Sequence, residues 1–83
     1  MTQDQKDLLT KIGQTLYGER WQTDLARDLG HSDGRRIRQW MSGDRPVPKT
    51  AWSEFNTLLT TRRDEINLVL PLVQNEADSA DRQ

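Results

Sequence analysis

The 83-residue chain contains no cysteine and a single histidine, His31. A disulfide framework is excluded, and a four-ligand zinc site has too few donors to be assembled. Apolar residues make up only 33% of the chain. None of their runs approaches the roughly 20 residues that a membrane-spanning helix requires. Alternating polar and apolar residues, the mark of a half-buried strand, are also missing, as are repeats and low-complexity runs. There is no glycine-rich phosphate loop, and no nucleophile–base pair or clustered carboxylates on which catalysis could be built. These gaps point away from an enzyme, a metal or cofactor protein and a membrane protein, and no small-molecule ligand is evident. Met1–Asp7 lacks a signal-peptide pattern, so the expected setting is cytoplasmic.

What is present is helical periodicity. Leu8, Ile12 and Leu16 recur every four residues, with Leu9 and Tyr17 widening the stripe, which predicts a helix over about 4–17 ended by Gly18. Gly13 weakens that pattern by roughly 1 kcal/mol relative to alanine and so suggests a close helix crossing. A second helix is expected over about 22–29, with Leu25, Ala26 and Leu29 on its apolar face and Gly30 as its stop. Neither Arg20 nor Trp21 is a good cap, and Trp21 reads as a staple-like anchor over the first turn. The third helix follows Ser32 or Asp33, buries Ile37, Trp40 and Met41, and ends near Ser42–Gly43. The Pro46-Val-Pro48 connector is rigid.

From about Lys49 to Leu70, Trp52, Phe55, Leu59, Ile66 and Val69 or Leu70 trace one stripe, with Leu58 beside it. Arg62 and Arg63 interrupt it, so the stretch is either two helices or one whose end leaves the core. Pro71 is expected to stop the helix, with Leu72–Val73 as a short apolar extension. At this length a second core does not fit. The expected organisation is one all-α domain of four or five helices over residues 1–73, followed by a flexible acidic tail, 74–83.

Charge is unevenly placed. The formal net charge is −1, yet residues 19–50 hold seven basic and five acidic side chains, and within 35–49 five basic residues face only Asp44. The basic cluster lies on the third helix, whose outward side carries Arg35, Arg38 and Gln39 opposite its apolar stripe. A rod of this kind fits the major groove of DNA. Gln22-x3-Ala26-x3-Gly30, followed by Ser32, Ile37, Trp40 and Gly43, resembles the helix-turn-helix of lambda-repressor and Cro-like transcription regulators. Residues 16–22 through Arg45-Pro-Val-Pro48 are similar to short regulators of phages and mobile elements. The likeness covers about residues 8–60. In the family pattern the first buried residue of the reading helix stands six positions after the turn glycine. Here Gly30 to Ile37 is seven, so Gly34 reads as a one-residue insertion.

The resemblance implies a compact lambda-repressor-like fold and a repressor that reads double-stranded DNA. Arg35, Arg38 and Gln39 are then the expected base-contacting residues: arginine pairs with guanine O6 and N7, glutamine with adenine N6 and N7. Gln22 and Thr23, at the start of the second helix, are expected on phosphate, as are Arg36, Arg45 and Lys49. His31 reads as a turn residue, Trp21, Trp40 and Trp52 as core, and Asp64–Glu65 as a solvated pair. One small domain covers little DNA, so a homodimer on a palindromic operator is expected. Its interface would be Leu58, Ile66, Val69, Leu70, Leu72 and Val73. The rival reading is a protein-interaction module that keeps the fold without binding DNA.

Overall fold

The computed structural model describes residues 2–81, which form four α-helices and no strand. The first, α1, spans Gln3–Tyr17. Thr2 and Gln5 start it reciprocally: the Thr2 hydroxyl accepts from the Gln5 N–H, and the Gln5 amide oxygen accepts from the Thr2 N–H, both at 3.1 Å. Its inward face is Leu9, Ile12, Gly13 and Leu16. Leu8, expected in that stripe, is 49% exposed. One residue is 100° of helix rotation, and Leu9 holds the inward direction instead.

Trp21–Asp28 form α2, with Trp21, Leu25 and Ala26 buried. No side chain caps its first turn, in keeping with Arg20 at that position. At its end the His31 N–H reaches back to the Ala26 carbonyl at 2.8 Å, closing the helix over Gly30. The Tyr17 hydroxyl donates to the Asp28 carboxylate at 2.5 Å and ties the end of α1 to the end of α2. Burial, reinforced by the hydrogen bond to Asp28, raises the phenol well above its ordinary pKa.

The crossing anticipated at Gly13 is with Trp21. A β-carbon built on residue 13 would fall on the indole, overlapping its ring atoms. The ring is only 4% exposed and has no open side to move into.

Helix α3 spans Arg35–Ser42. The residue before it is Gly34, not Ser32 or Asp33, but Asp33 still serves the helix start: its carboxylate accepts from the Arg35 N–H at 2.9 Å. Ile37 and Trp40 are buried, and Met41 packs at the edge of the core. Gly43 stops α3 at φ 87°, a left-handed conformation that costs any side-chain-bearing residue about 1 kcal/mol or more.

The chain then re-enters helix as α4, Lys49–Asp81. Ala51 and Phe55 complete the core, and Phe55 meets both Trp40 and Trp52 edge-on, at 6.3 and 5.3 Å between ring centroids. Here two expectations are corrected. Pro71 does not stop the helix, and residues 74–81, expected as a flexible tail, continue it; residues 82–83 of that tail lie outside the described residues. Pro71 removes one N–H, but the Asn67 carbonyl it would have served lies in an exposed stretch where water can take it. The Arg62–Arg63 interruption marks one helix whose end leaves the core. The Arg62 guanidinium folds back and donates to the Leu16 carbonyl at 3.0 Å, serving the end of α1. Leu58, assigned on sequence to a dimer face, packs against the body's own core instead. Beyond Arg62 every described side chain of α4 is exposed, which accounts for overall extents of 58 × 23 × 19 Å.

Gly13→Ala is the sharpest test of this packing. In an open helix it stabilises, through propensity. Against the pinned indole of Trp21 it should destabilise, lowering the melting temperature by about 5–10 °C in a circular dichroism melt. A rise in melting temperature would show that α1 and α2 do not meet at this point.

Candidate nucleic-acid interface

The position of α3 follows from its buried side. Ile37 is fully buried and Trp40 only 2% exposed, so the opposite side must face water. His31 braces Trp40 from outside, edge-on at 6.1 Å between centroids. His31, Trp40, Phe55 and Trp52 thus form a chain of aromatic contacts from the turn before α3 to the first turns of α4. This support sets the direction of the outward side chains.

Arg35, Arg36 and Gln39 of α3, together with Arg45 of the following loop, line one polar concavity of about 320 Å³. His31, Ser32 and Asp33 form its other wall. Arg45 is held there through its backbone, whose N–H donates to the Gln39 carbonyl at 3.3 Å. The ion pairs among the described residues lie elsewhere, at Arg27–Asp24, Arg62–Glu65 and Arg63–Asp64. Asp33, the one carboxylate on this wall, is committed to the Arg35 N–H. Three guanidiniums thus share a concave surface with one carboxylate, an excess of positive charge. Like charges gathered on one surface repel, so the cluster favours an external anion.

Arg38 does not join them. Its guanidinium lies over Gly34, where a β-carbon would come within 3.1 Å of Nη1, and the same spot approaches the Gln22 carbonyl and Thr23 hydroxyl. Arg38 thus belongs with the first turn of α2. Gln22, half-buried, and Thr23, exposed, share a second concavity with Glu19 and Arg20. Lys49 is exposed at the start of α4 and lines neither concavity. The eight residues expected on DNA are thus divided into Arg35–Arg36–Gln39–Arg45, Gln22–Thr23–Arg38, and Lys49 alone. Sequence reasoning missed the brace from His31, whose signal was its place directly after the turn glycine.

Gly34, read from the sequence as an insertion, has a structural role of its own. Gly34 is buried against α2, and the lack of a side chain lets Arg38 lie across it. Of the three tryptophans, Trp21 and Trp40 are buried and Trp52 is partly covered, which leaves no exposed stacking platform among them. Of the residues expected at a dimer interface, Ile66, Val69, Leu70, Leu72 and Val73 are 49–62% exposed on distal α4. Because α4 runs unbroken through Pro71, Leu72 is turned about 120° from Ile66 and leaves the face that the others share. No described helix is long and apolar enough to cross a membrane. Comparison with protein-family models, with curated proteins and with solved structures returned no match.

Gly34→Ala should cost less than about 1 kcal/mol, because only the far end of a flexible arginine has to move. A thermal melt reads this directly. A destabilisation as large as that for Gly13→Ala would show that the turn, not Arg38, resists the added methyl.

Proposed function

We propose that this chain is a lambda-repressor-like helix-turn-helix regulator: a repressor that binds double-stranded DNA sequence-specifically, as a dimer on a palindromic operator. The observation that carries the reading is the outward face of α3. A helix seated on Ile37 and Trp40 offers Arg35, Arg36 and Gln39, with Arg45 beside them, on one concave surface with an excess of positive charge. Further support comes from α2 and α3 packing together across the turn at Gly30, with Ala26 fully buried.

In this reading α3 enters the major groove by its N-terminal turn. Arg35 takes guanine through its bidentate fork, and Gln39 takes adenine. Arg36 and Arg45, lining the same concavity, hold the flanking phosphates. Gln22 and Thr23 hold a further phosphate at the start of α2, where backbone N–H groups are free of side-chain caps. Arg38, lying over Gly34 beside that turn, reinforces the phosphate contact rather than reading a base. Lys49 is a separate phosphate contact. The net charge of −1 implies weak non-specific binding, so discrimination rests on few base contacts and on two half-sites engaged together.

Selection of bound sequences from random duplexes tests the reading. A palindromic consensus with half-sites about one helical turn apart is the expected result; absence of any enriched sequence at low salt would overturn it. On the selected site, Arg35→Ala and Gln39→Ala should each cost about 1–3 kcal/mol while leaving affinity for random DNA nearly unchanged. Gln22→Ala, Arg38→Ala and Lys49→Ala should weaken both DNAs alike. The arginine and lysine variants should also flatten the salt dependence, by about one unit of slope for each phosphate left unneutralised. A change of preferred bases in any of these three would reassign it to base reading.

A further inference from the structure

Distal α4 carries an apolar face with nothing on it. Ile66, Val69, Leu70 and Val73, each about half exposed, line one shallow groove of about 420 Å³ with Arg62 and Glu65 at its proximal end. At 100° per residue these four fall within an arc of about 100°. Traced back along the helix, the same arc runs through Leu59 and Phe55, which the body covers. Phe55, Leu59, Ile66, Val69 and Val73 keep the seven-residue spacing of a helix pair, with Arg62 in the one polar position. A second groove, of about 270 Å³, continues the first past Arg62 and Leu59 onto Thr15 and Leu16 at the end of α1. The bare face is thus continuous with the core and leads directly out of it.

We propose that this face is covered by α4 of a second copy, running antiparallel, with the two-fold axis passing between Val69 and Leu70. The apolar seven-residue spacing and its continuity with the core select a second α4 as the partner, and charge sets the direction. The proximal end of the face is bordered by Arg62 and Arg63, already offset by Glu65 and Asp64, and the distal end by the charge of Glu76, unpaired among the described residues. With the axis between residues 69 and 70, Ile66 of one copy meets Val73 of the other, Val69 meets Leu70, and Arg62–Arg63 meet Glu76–Ala77. Parallel pairing sets Arg62 against Arg62 and Glu76 against Glu76, like against like. Ala77 and Ala80 prolong the arc with small side chains, which lets the partner's distal turns settle beside Leu59 in the groove next to α1. With polar flanks included, the two faces bury on the order of 1,000 Å², the low end for a specific interface. The dimer is therefore expected to dissociate in the micromolar range. This inference deepens the dimer of the proposed function, and rests on that reading only in supposing that two copies assemble.

The absence of cysteine makes the register directly readable, since a single introduced thiol reports one position. All substitutions are in the full chain at exposed residues. Under mild oxidation Val69→Cys and Leu70→Cys should each cross-link to themselves, whereas Ile66→Cys and Val73→Cys should cross-link only when mixed. Sedimentation should show a concentration-dependent dimer. Glu76→Lys should weaken it about tenfold at low salt, because the two-fold axis applies the change twice, and Arg63→Glu in the same chain should restore it. Self-cross-linking of Ile66→Cys and of Val73→Cys, each alone, would overturn the antiparallel register. A monomer at several hundred micromolar, without cross-links at any of these positions, would overturn the pairing itself. A monomer that still selects a DNA site counts against the pairing and leaves DNA reading intact. A cross-linked dimer that selects none does the reverse.

Discussion

The indole of Trp21 occupies the space that a side chain at residue 13 would need, and the placing of α2 on α1 depends on that contact. Trp21 is the first residue of α2, so the contact sets both where that helix starts and how closely it approaches α1. Leu25 and Ala26, one turn on, then meet the core with no exposure at all. Because α3 packs on α2, a shift at the Gly13–Trp21 contact would be passed to the face that carries the arginines. A flexible glycine in mid-helix is ordinarily a liability. Here it is the condition for burying the largest side chain at the α1–α2 junction.

The second constraint is electrostatic. The chain is slightly acidic overall, and its long-range field does not draw polyanions strongly. What it has is local: a concavity with three arginines and one carboxylate already committed to the start of α3. Asp33 thus does two things at once. It supplies the cap that Gly34 lacks, and its charge offsets one of the three arginines on the same surface. The aromatic chain from His31 through Trp40 and Phe55 holds the same helix from behind, so the cluster is displayed on a braced element.

Along α4 a single apolar stripe changes its surroundings at Arg62. Before it, Phe55, Leu58 and Leu59 are shared with the body; after it, Ile66, Val69, Leu70 and Val73 are bare. Arg62 is compatible with both halves, because its long stem lies along apolar surface while its guanidinium reaches the Leu16 carbonyl and Glu65. A charged residue in the stripe marks the edge of the core rather than a break in the helix.

Much of this was legible in the residues alone, for reasons that are local. Gly18 and Gly43 end helices where expected, and the Ile37–Trp40 spacing orients α3 wherever it packs. Even Gly13 could be read as a crossing point, since an interior glycine that weakens a helix needs a compensating contact. What periodicity does not carry is depth and neighbourhood. Leu8 and Leu9 both suit an amphipathic stripe, and only the packing of α2 and α4 on α1 decides that Leu9 is inward. Pro71 reads as a stop because local propensity opposes it, yet the unbroken helix moves Leu72 off the face shared by Val69 and Val73. The division of the arginines is likewise tertiary. The sequence by itself determined an all-α chain of four or five helices, most of their apolar stripes and a basic third helix, because those depend on contacts within a few residues. The tertiary structure alone decided that Arg38 turns to α2 while Arg35, Arg36 and Arg45 converge, because a long side chain's direction is set by what packs beside it.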